Sequence, residues 1–122
     1  MEINIELIRE IIEPLIPNLE TRAAGFVVDT SEVDDELLEV FIEQMQMDIE
    51  GVNKAVETND VATAVDKAHS IKGMGGTAGM PELSVLAAEI ENAGKKSDKE
   101  RFATLIDALN RCFDEIRKMV GL

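Results

Sequence analysis

Residues 68–79 read Ala-His-Ser-Ile-Lys-Gly-Met-Gly-Gly-Thr-Ala-Gly, and His69 is the only histidine in the 122-residue chain. Imidazole is the one side chain that serves as a neutral nucleophile near neutral pH without help. Lys72 follows one helical turn later, Gly73 comes next, and Gly75, Gly76 and Gly79 form a glycine-rich exit. An imidazole on a helix rim, beside a cation and a position with no side chain, suits the holding of a phosphoryl group for a partner.

Helix geometry sharpens this reading. Each residue advances about 100°. On a helix over Val61 to Gly75, the residues Val61, Ala64, Ala68, Ile71 and Gly75 fall on one apolar stripe. His69 lies at the edge of that stripe. Val65 and Lys72 flank it on the inner side, and Ala62, Asp66 and Gly73 on the outer side. The ring is therefore propped by the interior while one nitrogen faces water. Ala62 and Gly73 keep the approach low, so the active site of another protein can close over the ring. Phosphoryl transfer needs an in-line arrangement and charge stabilisation more than covalent chemistry. Lys72 can offset charge on phosphoryl oxygens. Glu91 comes level with His69 if the next helix folds back as a hairpin. It can then accept a hydrogen bond from the inner ring N–H and leave the outer nitrogen nucleophilic.

The elements that must position these groups are helices. Hydrophobic residues make up 45% of the chain, with four Phe and no Trp or Tyr, so the core is aliphatic, as suits a helical bundle. The first helical pattern runs from Asn4 through Ile5, Ile8, Ile12 and Ile16 to Leu19. Pro14 and Pro17 should divide it into two short helices. Gly25 to Thr30 reads as a connector. A second helix begins near Ser31 or Asp34, with acids in its first turn, where the helix dipole favours them. Its apolar stripe runs from Leu37 to Val56. Thr58-Asn59-Asp60 stops it and caps the third helix. Met80-Pro81-Glu82 opens the fourth, and Gly94 to Asp98 separates it from a fifth over Lys99 to Met119. Short connections imply antiparallel neighbours. The expected fold is all-α: an antiparallel up-down four-helix bundle over residues 31–122, with an N-terminal helical extension over residues 1–30.

Composition narrows the partners. Twenty-five acidic against twelve basic residues give a net charge of -13, which argues against nucleic acid and against anionic membrane surfaces. No apolar run has the length of a membrane span. Met1-Glu2-Ile3-Asn4 lacks the basic start of a signal peptide, so a cytoplasmic location is expected. One cysteine, Cys112, rules out an intrachain disulfide and reads as core. One histidine and scattered acids give no metal-ligand pattern, so no metal site is expected. Gly73 to Gly79 does not follow a strand and fits neither common phosphate-loop spacing; its glycines more simply end a helix.

The segment Ala68-His69-Ser70-Ile71-Lys72-Gly73, followed by Gly76-Thr77-Ala78-Gly79 and then Leu83, Leu86 and Glu91, resembles the phosphorylation-site pattern of histidine-containing phosphotransfer (HPt) domains. It is also similar to the histidine-bearing domain of chemotaxis kinases. The specific motif covers residues 68–91, and the helical pattern extends the match to about 33–120. The resemblance implies a four-helix bundle, His69 as phosphoacceptor, Lys72 as electrostatic helper, Glu91 as the residue contacting the ring, and Gly73 as the opening for a receiver domain. Ala62, Val65, Asp66, Gly73 and Gly76 are the expected docking positions. The implied partners are response-regulator receiver domains and a hybrid histidine kinase, with no cofactor in this chain and Mg2+ only in the partner receiver domain. The chain lacks the ATP-binding boxes of a histidine kinase, so it should carry phosphate without generating it. The competing class is a non-phosphorylated helical adaptor that binds a receiver or kinase domain.

Overall fold

Six helices, with no strand among the described residues, build the protein. The structure, a computed structural model, describes residues 3–28 and 33–121. Ser31, weighed above as a helix start, and part of the expected connector lie outside them.

The N-terminal apolar pattern is divided as its prolines require. Helix α1 spans Ile5–Ile12, and α2 spans Leu19–Ala24. The turn between them carries Pro14 and Pro17 and passes through Asn18 in the left-handed region (φ 58). Asparagine tolerates that conformation better than most residues. Helix α3 covers Asp35–Glu57, α4 Val61–Gly75, α5 Pro81–Lys95 and α6 Lys99–Val120. Asp34, Asp60 and Asp98 cap α3, α4 and α6 by accepting the backbone N–H of Leu37, Thr63 and Arg101. Each side chain satisfies a donor that helix geometry leaves unpaired. Pro81 opens α5 at a position where its missing N–H costs nothing.

Helices α3 to α6 form the bundle, with α4 packed between α3 and α5, and α6 closing against α5 and α3. The register is antiparallel. On one side of α4, Ser70 meets Asp48 and Lys67 packs beside Gly51; on the other, His69 meets Glu91 and Gly76 meets Ser84. In both pairings, rising numbers on one helix face falling numbers on the other. Helix α5 is the most enclosed element, buried from Glu82 to Ala87 without interruption.

The N-terminal helices cover what four helices leave open. Helix α1 lies on α6 and α5, and α2 lies on α5. Ile8, Ile12, Ile16, Leu19 and Ala23 belong to the same buried cluster as the bundle core. Three arginines pin this layer. Arg9 Nε donates to Glu82 at 2.7 Å, Arg22 pairs with Glu89 at 2.6 Å, and Arg101 bridges Glu89 (3.3 Å) and the Leu15 carbonyl (3.1 Å). The Glu82 hydrogen bond and charge raise the Arg9 pKa above its ordinary value. Burial pushes the Glu89 carboxyl up, but its hydrogen bonds to Arg22 and Arg101 and their charges outweigh this and lower it.

Two details differ from the sequence reading. Val61, placed above on the buried stripe of its helix, is 44% exposed. As the first residue of α4 it stands at the rim of the bundle, beside a cavity it lines with Ala93 and Phe102, and neighbours cover it only in part. The α3 stripe is buried in its middle only, and Leu37 and Val56 near its two ends are exposed. Cys112 is buried in the core, and its thiol is pushed up to about 12 by desolvation. Among the described residues no helix is long and apolar enough to cross a membrane.

Because α1 shares the core, truncating one of its buried side chains should act on the whole bundle. Ile12→Ala is expected to cost about 2–5 kcal/mol in urea unfolding. A variant as stable as wild type would show α1 to be a loosely attached appendage.

Candidate functional site

Helix α4 carries His69 at mid-length. Ala68 behind it is fully buried and holds the helix against the core, while the His69 side chain remains 66% exposed. The α3 side fixes the rotation of α4: Ser70 Oγ donates to Asp48 at 2.8 Å, and Gln44 donates to the other oxygen of Asp48 at 3.4 Å. The α5 side supplies the group that touches the ring. His69 Nδ1 lies 3.1 Å from Glu91 Oε1.

Glu91 is only 5% exposed, yet it has three neighbours with hydrogens to give. Lys72 Nζ lies 2.8 Å from the same oxygen that meets the imidazole, and Lys95 Nζ lies 3.4 Å from Oε2. Burial pushes the Glu91 carboxyl up. The Lys72 and His69 hydrogen bonds, the Lys72 charge and the Lys95 hydrogen bond outweigh that effect and hold it below its ordinary value. An ionised carboxylate only accepts hydrogen bonds. Nδ1 must therefore carry a proton, which in the neutral ring leaves the lone pair on Nε2. Nε2 has no protein partner among the described residues and belongs to an exposed ring. The arrangement can do one thing well: present a neutral, oriented nucleophilic nitrogen to solvent while an inner carboxylate braces the opposite ring edge.

The surface beside the ring is low. A Cβ built on Gly73 would meet nothing within 4 Å. Ala62 and Asp66 are exposed on the same outer side, and Val65 is half-buried toward α5. Gly76 departs from the expected docking positions. It is buried, and a Cβ there would run into the Phe26 carbonyl. Its lack of a side chain accommodates the N-terminal connector, and it does not line the open face. Lys72 also differs in posture from a free cation, since it is paired with Glu91 at rest.

Two participants escaped the sequence reading. Lys95 stands four residues after Glu91, a spacing that signals a helical ion pair. Ser84 meets the end of α4 and has no spacing signature, because its partners are backbone groups twelve and eight residues away. Among the described residues no group of three or more His, Cys, Asp or Glu side chains is arranged to hold a metal ion.

An all-helical bundle that displays a single braced imidazole defines a carrier domain more readily than a catalytic cleft. The comparison with family models assigns it: the Hpt domain model matches residues 36–119, and the chain belongs to the Hpt-domain family. Hpt domains are phosphotransfer modules of two-component phosphorelays, phosphocarriers that interact with receiver domains and kinases. Neither the curated proteins nor the solved structures give a significant match.

The lowered Glu91 pKa has a measurable consequence. A carboxylate depressed in the folded state contributes stability above its unfolded pKa and loses it as pH falls through the folded value. The stability advantage of wild type over Glu91→Gln should be full above about pH 5 and shrink steadily on acidification. Urea unfolding across pH 3–7, an interval of about four units spanning the carboxylate range, reads it out. A constant difference over that range would mean that Glu91 is not held ionised by its neighbours.

Proposed function

We propose that His69 Nε2 is the phosphoacceptor of a phosphorelay carrier, exchanging a phosphoryl group with receiver-domain aspartates of a hybrid sensor kinase and of a response regulator. The observation that carries this reading is the Glu91–His69 contact at 3.1 Å on a ring that is otherwise exposed. In the forward step the Nε2 lone pair attacks phosphorus, and the bond from phosphorus to the aspartyl oxygen breaks. The aspartate leaves as carboxylate, and the ring becomes a phosphorylated imidazolium. Its Nδ1–H stays on Glu91, which offsets the developing positive charge. The return step reverses each bond change, so the carrier needs no proton donor or acceptor of its own.

Lys72 sits where its ammonium can leave Glu91 for the phosphoryl oxygens. Gly73, with Ala62 and Asp66, forms the approach for the receiver domain, and Val65 supports it from the α5 side. The carrier brings no cofactor to this exchange, and the receiver domain supplies the Mg2+. It works in the cytoplasm, where receiver domains are found. The N-terminal segment serves the bundle as a cover and stays outside the exchange.

Two variants test the reading. His69→Gln should fold as wild type does and take no acid-labile label from a phosphorylated receiver domain. Equal labelling of variant and wild type would overturn the assignment, and a wild type that binds receiver domains without labelling would identify an adaptor. Gly73→Gln should gain up to about 1 kcal/mol in stability, because glycine is a poor residue for a helix interior. The same variant should lose transfer by roughly tenfold or more, equivalent to at least about 1.4 kcal/mol of barrier. Normal transfer by Gly73→Gln would mean that the receiver does not pass over this turn.

A further inference from the structure

The last turn of α4 contains a break in its backbone ladder. Continuation of the helix would have the Gly76 N–H donate to the Lys72 carbonyl, four residues back. Instead the Gly76 N–H donates to Ser84 Oγ at 3.1 Å, and Ser84 Oγ donates to the Lys72 carbonyl at 2.8 Å. The hydroxyl of a neighbouring helix is thus spliced between the two backbone groups. Ser84 is fully buried (0% exposed), and its bond from the Gly76 N–H is buried with it.

The neighbouring sequence makes room for this splice. A Cβ on Gly75 would run into Ser84 Oγ and come within 2.8 Å of the Ser84 backbone nitrogen. Helices α4 and α5 therefore approach closely at Ser84, and glycine permits it. From above, the Phe26 carbonyl rests on Gly76 and closes the turn. The splice holds the backbone of Lys72, and Lys72 is the residue whose ammonium meets Glu91 at 2.8 Å. Helix α5 thus grips Lys72 at both ends, by the Ser84 hydroxyl at the carbonyl and by the Glu91 carboxylate at the ammonium. Ser84 and Glu91 are seven residues apart, two turns on one face of α5.

We propose that Ser84 is a positioning residue that sets the reach of Lys72 toward Glu91 and the His69 ring. The functional half of this inference rests on the phosphocarrier reading; the geometric half does not. Without the hydroxyl, the Lys72 carbonyl and the Gly76 N–H must close on each other or stay unpaired. Closure displaces the turn that carries Lys72, and staying unpaired releases that turn from α5.

The test uses the full chain as wild type, Ser84→Ala, Lys72→Ala and the double variant. Two quantities are read: the rate of phosphoryl transfer from a labelled receiver domain, and competitive labelling of lysines by a small amine reagent, taken as the ratio of Lys72 to Lys99. Ser84→Ala should slow transfer about threefold to thirtyfold, within the range of coupling between neighbouring residues. On the Lys72→Ala background the same substitution should slow it by less than about twofold. The Lys72 to Lys99 ratio should rise severalfold in Ser84→Ala, because the ammonium loses its hold on Glu91.

An unchanged ratio together with an unchanged rate overturns the inference. So does a transfer loss that persists in full on the Lys72→Ala background, since Ser84 would then act through the bundle at large. If wild type accepts no label, the phosphocarrier reading fails, while the labelling ratio still decides whether Ser84 positions Lys72. Should Ser84→Ala not fold, Ser84→Cys keeps the shape with a weaker hydrogen-bonding group. Its ratio should lie above that of wild type, and a wild-type ratio overturns the inference.

Discussion

The site depends on one carboxylate that is nearly buried and fully used. Glu91 accepts from His69 and Lys72 through one oxygen and from Lys95 through the other. Burial alone would favour its neutral form. The two ammonium groups prevent that, and the ionised carboxylate in turn fixes the imidazole tautomer. Removing the lysines would weaken the reason for Glu91 to stay charged, and removing the charge would free the ring to turn. The orientation of a solvent-exposed imidazole is therefore set from inside the protein, which leaves its outer edge unobstructed.

Helix α5 is the scaffold on which this is possible. It is the most enclosed helix, yet it carries three acids that no longer face open water. Each has a cationic answer from another part of the chain: Glu82 from Arg9, Glu89 from Arg22 and Arg101, and Glu91 from Lys72 as well as from Lys95 on its own helix. Leaving a buried charge unpaired costs several kcal/mol (roughly 3–5). The N-terminal helices are thus tied to the site helix by electrostatic necessity as well as by apolar contact. One oxygen of Glu82 has no hydrogen-bond partner among the described residues, so this pairing is less complete than that of Glu91.

Much of the fold was legible because its signals are local. Caps at Asp34, Asp60 and Asp98, Pro81 at a helix start, and the break between Pro14 and Pro17 follow from the backbone requirements of single residues. The edge placement of His69 followed from helix geometry, and so did its level with Glu91 once a hairpin was assumed. What was not legible depends on packing across elements. Gly73 and Gly76 look alike in sequence, yet one faces open space and the other lies under the Phe26 carbonyl. That difference is decided by a connector some fifty residues away in the chain. Val61 matched the period of the buried stripe and is only partly covered because α4 begins there, at the rim of the bundle. Ser84 carried no periodic signal, since a serine inside an apolar helix reads as a weak core residue until its backbone partners are known.

The charge balance of the chain bears on what the site can hold. The protein carries a net charge of -13, which opposes the approach of a dianionic phosphoryl group at long range. Beside the ring the balance is more even, because Lys72 and Lys95 offset Glu91 and Asp66, and in the proposed exchange the ring is neutral when it attacks. Salt screens surface charges beyond about 8–10 Å, so in the proposed exchange the two near lysines count for more than the distant acids. The pairing of both lysines with Glu91 keeps them gathered beside the ring without a phosphoryl group present. For the proposed transfer, preorganised charge costs less than charge that must be assembled from solvent-exposed, freely moving side chains.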